Sequence, residues 1–207
     1  MNNDLFAGGK KLPLVEDFYT IQGEGYHTGK PAYFIRLGGC DVGCNWCDAK
    51  FTWKPELHPL IMTDDIIRRA ESFPARAVVV TGGEPTLYPL DYLCGELKRR
   101  SVETYLETSG AYSLTGTWDW ICLSPKRKSP PNYAIYEKAD ELKVIIHDKE
   151  DLVWAEKNAS LVRKECRMYL QPEWSRYEQI IPVIVDYAKS NPRWNISLQA
   201  HKFMHIP

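Results

Sequence analysis

The run Ala32-Tyr33-Phe34-Ile35-Arg36-Leu37-Gly38-Gly39-Cys40-Asp41-Val42-Gly43-Cys44-Asn45-Trp46-Cys47 decides how the fold is read. Its first six residues are mostly apolar, aromatic or β-branched, and too few for a helix, so they predict a buried strand, Ala32–Leu37. Gly38 and Gly39 end it, and cysteines follow at once. Similar short runs recur at Ala77–Val80, Thr104–Leu106, Trp120–Leu123, Leu142–Ile146, Met168–Gln171 and Ile196–Leu198. Between them lie helical patterns: Thr63–Ser72 behind Thr63 as an N-cap, Leu90–Arg100 with Leu90, Leu93 and Leu97 on one face, Lys149–Asn158 and Tyr177–Ser190. Strands alternating with helices predict an α/β fold with a mainly parallel sheet, open or rolled into a barrel. Either form gathers its functional loops at the C-terminal ends of the strands, where the unusual residues of this chain fall.

The chain has 207 residues, 44% hydrophobic and 26% charged, a composition that excludes disorder, collagen and coiled coil. No linker, repeat or low-complexity stretch divides it, so residues 1–207 read as a single domain. Lys+Arg 26 against Asp+Glu 27 leaves a net charge of −1, without the basic excess of a dedicated nucleic-acid binder. No apolar run approaches the roughly 18 residues needed to cross a bilayer. The start, Met1 to Lys10, has no apolar core behind a basic segment. The expected compartment is the cytoplasm, with neither membrane nor nucleic acid as partner.

Three of the six cysteines, Cys40, Cys44 and Cys47, share eight residues in a C-x3-C-x2-C spacing. A reducing compartment disfavours disulfides, and clustered thiols there point to metal or redox chemistry. Structural zinc wants four ligands, and here a second C-x2-C is absent, with His58 the one spare imidazole nearby. A 4Fe-4S cluster wants one thiolate per iron, so three thiolates leave one iron open, as catalysis requires. The count favours the cluster over zinc or uncommitted thiols. Cys94, Cys122 and Cys166 stand alone in apolar surroundings and read as inert buried thiols.

With Trp46 before the last cysteine, this segment resembles the signature of the radical S-adenosylmethionine (SAM) superfamily. The resemblance implies that the open iron chelates SAM, with Trp46, Cys47 and Asp48 against the cofactor. Other strand ends fit the same picture. In Thr81-Gly82-Gly83-Glu84-Pro85, the glycines allow close approach of a ligand, and the Glu84 carboxylate suits an ammonium. The bland alternative is a tight turn into a helix. Gly83 and Glu84 resemble the superfamily's contact to the methionine amino group, and Glu107 and Ser109 its contact to the ribose. Ser124-Pro125-Lys126 and Gln171-Pro172-Glu173-Trp174 are weaker SAM-side candidates that end on the same side of the sheet.

The two ends narrow the resemblance. Phe18-Tyr19-Thr20-Ile21-Gln22-Gly23-Glu24-Gly25 and Ser197-Leu198-Gln199-Ala200-His201-Lys202, with the terminal Ile206-Pro207, are similar to the 7-carboxy-7-deazaguanine synthase family. That likeness implies an incomplete (β/α) barrel with about six core strands and short substrate-binding extensions. It implies an electron from flavodoxin or ferredoxin, a homodimer, and radical ring contraction of 6-carboxy-5,6,7,8-tetrahydropterin with loss of ammonia, on the route to queuosine-type 7-deazapurines. The cofactor carries the hard chemistry. By position, Ile21, Gln22, Gly23, Glu24, Arg36, Thr81, His201 and the carboxylate of Pro207 are expected on the substrate. The family usually follows its third cysteine with Asp-Thr, whose hydroxyl helps to hold Mg²⁺. Here Cys47-Asp48-Ala49-Lys50 lacks that hydroxyl. Asp48 could still support a water-coordinated Mg²⁺, or the Lys50 ammonium could reach the substrate carboxylate instead. The rivals are a glycyl-radical activating enzyme, against which the two ends speak, and a zinc-stabilised binding module.

Overall fold

The computed structural model describes residues 5–207; residues 1–4, and with them the first part of the Met1–Lys10 reading, lie outside the described residues. Nine strands form one sheet: β1 (Lys11–Ile21), β2 (Pro31–Leu37), β3 (Leu60–Met62), β4 (Ala77–Gly82), β5 (Glu103–Thr108), β6 (Trp120–Leu123), β7 (Glu141–Ile146), β8 (Arg167–Pro172) and β9 (Trp194–Ile196). Their order is β3-β1-β2-β4-β5-β6-β7-β8-β9. From β2 to β9 every pairing is parallel, while β1 runs antiparallel to both β2 and β3. The outermost strands, β3 and β9, do not pair, so the sheet stays open as an incomplete barrel.

Six parallel strands have four residues or more, in line with the expected core, and β9 adds a short seventh. Two strands lay outside the sequence reading. Pro13 and the charges of Glu16 and Asp17 disguise β1, and β3 is only three residues long. The last strand falls at Trp194–Ile196, two residues ahead of its expected place.

Period-2 alternation divides the sheet into two faces. Tyr33, Ile35 and Leu37, Val78 and Val80, and Leu106 pack with Ile66, Ile67, Leu93 and Leu97 of helices α1 (Thr63–Glu71) and α2 (Asp91–Arg99). Leu142, Val144, Ile146 and Leu170 pack with Ala155, Ile180 and Ile184 of α3 (Asp151–Ala159) and α4 (Tyr177–Ser190). Burying each Leu or Ile side chain contributes about 1.5–3 kcal/mol, so the helix-covered face holds the fold. Thr63 is the first residue of α1, and its hydroxyl donates to the Gly9 carbonyl at 2.6 Å rather than capping the helix. The acidic pair Asp64 and Asp65 and the basic pair Arg68 and Arg69 complement the dipole at either end of α1.

The intervening residues point to the other face. Phe34, Arg36, Thr81, Glu107, Cys122, Lys143, Ile145 and Gln171 line a cavity there. A short helix, α5 (Ala200–Met204), and the loop after β1 border it.

Candidate active site

The cavity, about 350 Å³, is lined by all three clustered cysteines and by the expected SAM and substrate residues except Pro125 and Lys50. Pro125 is buried beside the site with its carbonyl turned to the Trp154 indole. Lys50 is exposed, its ammonium 5.9 Å from the Trp53 ring centroid, outside the cavity lining. That corrects its proposed contact with the substrate carboxylate.

Backbone packing fixes the cysteine loop. Gly39 donates to the Thr52 carbonyl at 2.6 Å and Cys40 to Trp53 at 3.0 Å, while Gly83 and Glu84 donate to Leu37 and Gly39 at 2.9 and 2.8 Å. A Cβ on Gly83 would meet the Gly39 carbonyl oxygen at 2.2 Å. Only glycine lets the two strand-end turns touch. Among the described residues, no three His, Cys, Asp or Glu side chains gather around a single-ion site. The three thiols are unpaired and half-buried. Burial, with the nearby Glu84, Cys44 and Cys47, pushes the Cys40 thiol up to about 11. Such a set of mutually repelling thiolates suits a multivalent cationic cluster, which would favour the thiolate form. Trp46 is half-buried, with the Lys126 ammonium 5.7 Å from its ring centroid. Lys126 in turn donates to the Ser124 carbonyl and hydroxyl at 2.7 and 2.5 Å.

Glu84 does not present a free carboxylate. It is 1% exposed. Its Oε1 accepts from the Thr86 amide at 3.0 Å, the Thr86 hydroxyl at 2.6 Å and the Thr108 hydroxyl at 2.5 Å. Its Oε2 accepts from the Ser109 amide at 2.8 Å and from the Ser109 hydroxyl. The side chain expected to hold an ammonium therefore ties the ends of β4 and β5 together. Thr108, unremarked in the sequence, is part of that tie.

Glu107 and Ser109 face different partners. Ser109 faces Glu84, whereas Glu107 accepts from the Gln22 amide at 3.0 Å and the Thr81 hydroxyl at 3.2 Å. Glu107 thus joins the residues expected on the substrate. Arg36 both lines the cavity and pairs with Glu16 at 2.7 Å. At the far side, Gln199 donates to Glu24 at 2.9 Å, and the Ala200 amide donates to the Gly23 carbonyl at 2.8 Å. His201 stands directly over Gly23: a Cβ there would lie 2.3 Å from its Nδ1 and 2.7 Å from its backbone nitrogen. Burial lowers the His201 pKa despite the nearby Glu24 carboxylate, so the imidazole is neutral at pH 7. Trp174, Phe203 and Tyr177 form an aromatic knot on the other side of α5.

Lys143 was not foreseen. It is 4% exposed on β7 and lines the cavity, with its ammonium bonded to Glu24 and 3.8 Å from Glu107. Burial opposes ionisation of Glu24, but Lys143 and the amide of Gln199 outweigh it and hold that carboxyl at about 2. Burial likewise works against a charged Lys143, and the carboxylates of Glu107 and Glu24 raise its pKa nonetheless.

A family model described as the radical SAM superfamily matches residues 34–121. The 7-carboxy-7-deazaguanine synthase of Flavobacterium psychrophilum is 53% identical, over 96% of this chain and 94% of its own. The protein of that name from Synechocystis is 45% identical, over 94% and 93%. The crystal structure of QueE from Escherichia coli superposes with a TM-score of 0.83 at 30% identity, covering 97% of this chain and 99% of its own. The chain belongs to the 7-carboxy-7-deazaguanine synthase family of radical SAM enzymes.

Proposed function

We propose that the chain is a lyase that converts 6-carboxy-5,6,7,8-tetrahydropterin to 7-carboxy-7-deazaguanine and ammonia. The observation that carries this reading is the meeting, in one cavity, of the cysteine loop with the Gln22–Glu24 segment and His201. Cys40, Cys44 and Cys47 would hold a 4Fe-4S cluster. Bound there with SAM, it would supply radical hydrogen-abstraction chemistry to the substrate on one-electron reduction. The protein supplies position. Gly83, Glu84 and Ser109 shape the methionine and ribose side, with Trp46, Asp48, Ser124, Lys126, Gln171, Pro172, Glu173 and Trp174 around it. Ile21, Gln22, Gly23, Glu24, Arg36, Thr81, His201 and Pro207 face the pterin, together with Glu107. Ionised Glu24 accepts hydrogen bonds from the pterin's donor edge, and the Gln22 amide can both donate and accept.

One continuous sheet supports reading residues 1–207 as a single radical SAM core domain with substrate-binding segments at both ends. No helix among the described residues is long and apolar enough to cross a membrane. In the same reading the electron comes from flavodoxin or ferredoxin, the active form is a homodimer and the compartment is the cytoplasm. The donor and the homodimer rest on the family resemblance, and the compartment is the expectation drawn from the sequence. The test is anaerobic turnover of the iron- and sulfide-reconstituted protein with SAM, reductant and the carboxylated tetrahydropterin. Formation of 7-carboxy-7-deazaguanine without net SAM consumption supports the reading; SAM cleavage with no pterin product removes it.

Gly23→Ala should lower substrate affinity at least about tenfold, because the new methyl meets the backbone of His201 and not only its flexible ring. SAM cleavage without substrate should persist, since the cysteine loop is untouched. Equal pterin affinity in the variant and the wild type would detach α5 from the site.

Mg²⁺ is part of the proposal in weakened form. Ala49 offers no hydroxyl, and the Asp48 carboxylate already faces the Lys202 ammonium at 3.3 Å and the Gln199 amide at 3.4 Å. Asp48 can support a largely hydrated Mg²⁺, but Lys202 competes for it. Lys202→Ala and Ala49→Thr should each tighten Mg²⁺ binding, read by calorimetry on substrate-loaded protein and by Mg²⁺ stimulation of turnover. Unchanged Mg²⁺ affinity in both variants would remove Lys202 as the competing cation.

A further inference from the structure

Strand β7 places Glu141, Lys143 and Ile145 on the face away from the helices. Of these, Lys143 stands between two carboxylates that come from distant parts of the chain. Glu24 follows β1 and Glu107 closes β5, and one ammonium holds both. The exposed fractions of the three side chains are 5% for Lys143, 15% for Glu24 and 25% for Glu107, so little water screens them. A buried lysine is costly unless paired, and here its pairing determines what the carboxylates can do.

We propose that Lys143 is a positioning residue that sets the hydrogen-bond polarity of the substrate end of the cavity. By pairing with Glu24 it keeps that carboxylate an acceptor, so the site selects a ligand edge rich in donors. An ionised carboxylate only accepts, whereas a protonated one also donates. The amino-pyrimidinone edge of a pterin presents an amino group and a ring N–H. An isostere with oxygen in place of the amino group presents a carbonyl, which would face the carboxylate acceptor to acceptor. A site built around buried hydrogen bonds strongly rejects such a mismatch. The specificity thus originates one residue behind the contact. The inference rests on the pterin reading of the site.

The groups facing Glu24 are Lys143 from β7, and Gln199 and His201 at α5. Those facing Lys143, besides Glu24, are Glu107 from β5, Cys122 from β6 and Glu141 from β7. Lys126 feels the charge of Lys143 from the loop after β6. Among them Lys143 is the cation in direct contact with Glu24. Without it, burial would raise the Glu24 pKa toward neutrality. Burial disfavours the charged form of His201, which makes it a weaker counter-charge than Lys143.

The test uses the cluster- and SAM-loaded protein, anaerobic and without reductant. Its probes are 6-carboxypterin and 6-carboxylumazine, the analogue with oxygen for the amino group, followed by ligand fluorescence. Wild type should prefer the pterin by about 100-fold, with a preference that stays flat between about pH 5.5 and 7 because Glu24 remains ionised there. In Lys143→Met the preference should fall below about tenfold, and pterin affinity should drop as pH falls through that window while lumazine affinity rises. Lys143→Arg should restore the preference. The double variant Glu24→Gln/Lys143→Met leaves no unpaired charge between the two positions, so it guards against a single variant that does not fold. It should bind both ligands within about tenfold, independent of pH. A wild-type preference retained with a flat pH profile in Lys143→Met, or retained in the double variant, overturns the role given to Lys143. Wild type that binds neither probe overturns the pterin reading itself, and the inference with it.

Discussion

Complete loss of SAM cleavage is the expected result of replacing Cys40, Cys44 or Cys47 singly by alanine, with the fold retained. Each would supply one of three protein bonds to the cluster, and two thiolates do not hold what three do. The loop itself does not depend on the sulfurs. It is held through backbone bonds from Gly39 to Thr52, Cys40 to Trp53 and Cys47 to Cys44, and all three side chains are only half-buried. Iron content after anaerobic reconstitution should fall sharply in each variant while thermal unfolding stays near that of wild type. Cys94, Cys122 and Cys166 are buried, and alanine there should cost about 1–2 kcal/mol of packing with iron content unchanged. Cys122 lines the cavity beside Lys143, so its variant is the stringent control. Iron lost in Cys122→Ala and kept in Cys40→Ala would reverse the ligand assignment.

The strands that sequence made legible are those whose helix-facing residues are apolar without interruption, such as Val78 and Val80 or Leu142, Val144 and Ile146. Strand β1 was hidden because it mixes Pro13, Glu16 and Asp17 into a run that only antiparallel pairing organises. Helix α5 has five residues, too few for a periodic signal. The cysteine spacing and the strand-end motifs marked the cavity lining well, because each sits where a strand stops and the chain turns into the site. Partners across the cavity were not legible: nothing local says that Lys143 meets Glu24, or that Glu107 meets Gln22. A signal for Lys143 did exist. A lysine inside an otherwise apolar strand has to find a counter-charge on the strand's other face, and the run Glu141–Ile146 carries two charges at alternate positions.

Glu84→Ala should be the most destabilising substitution near the site, at about 3–5 kcal/mol, because it orphans donors rather than removing one contact. Five donors from Thr86, Thr108 and Ser109 converge on this carboxylate. The hydroxyls can turn to other acceptors, but the amides of Thr86 and Ser109 are fixed by the backbone and would stay buried without a partner. Glu84→Gln keeps the shape and one acceptor oxygen. Its amide NH₂ must then face donors that previously met an oxygen, so a smaller loss of about 1–3 kcal/mol is expected. The damage should spread toward the cysteine loop, because the Glu84 amide also holds the Gly39 carbonyl. SAM affinity should therefore weaken together with thermal stability, in the order wild type, Gln, Ala, and pterin affinity should weaken less. Thermal unfolding and SAM binding measured on the same three proteins decide between two roles for one side chain. If Glu84→Ala unfolds at the wild-type temperature yet no longer binds SAM, the carboxylate acts on the ligand directly, and the five internal bonds are not what holds it in place. If stability and SAM affinity fall together, the motif recognises its ligand through a backbone that Glu84 keeps in shape.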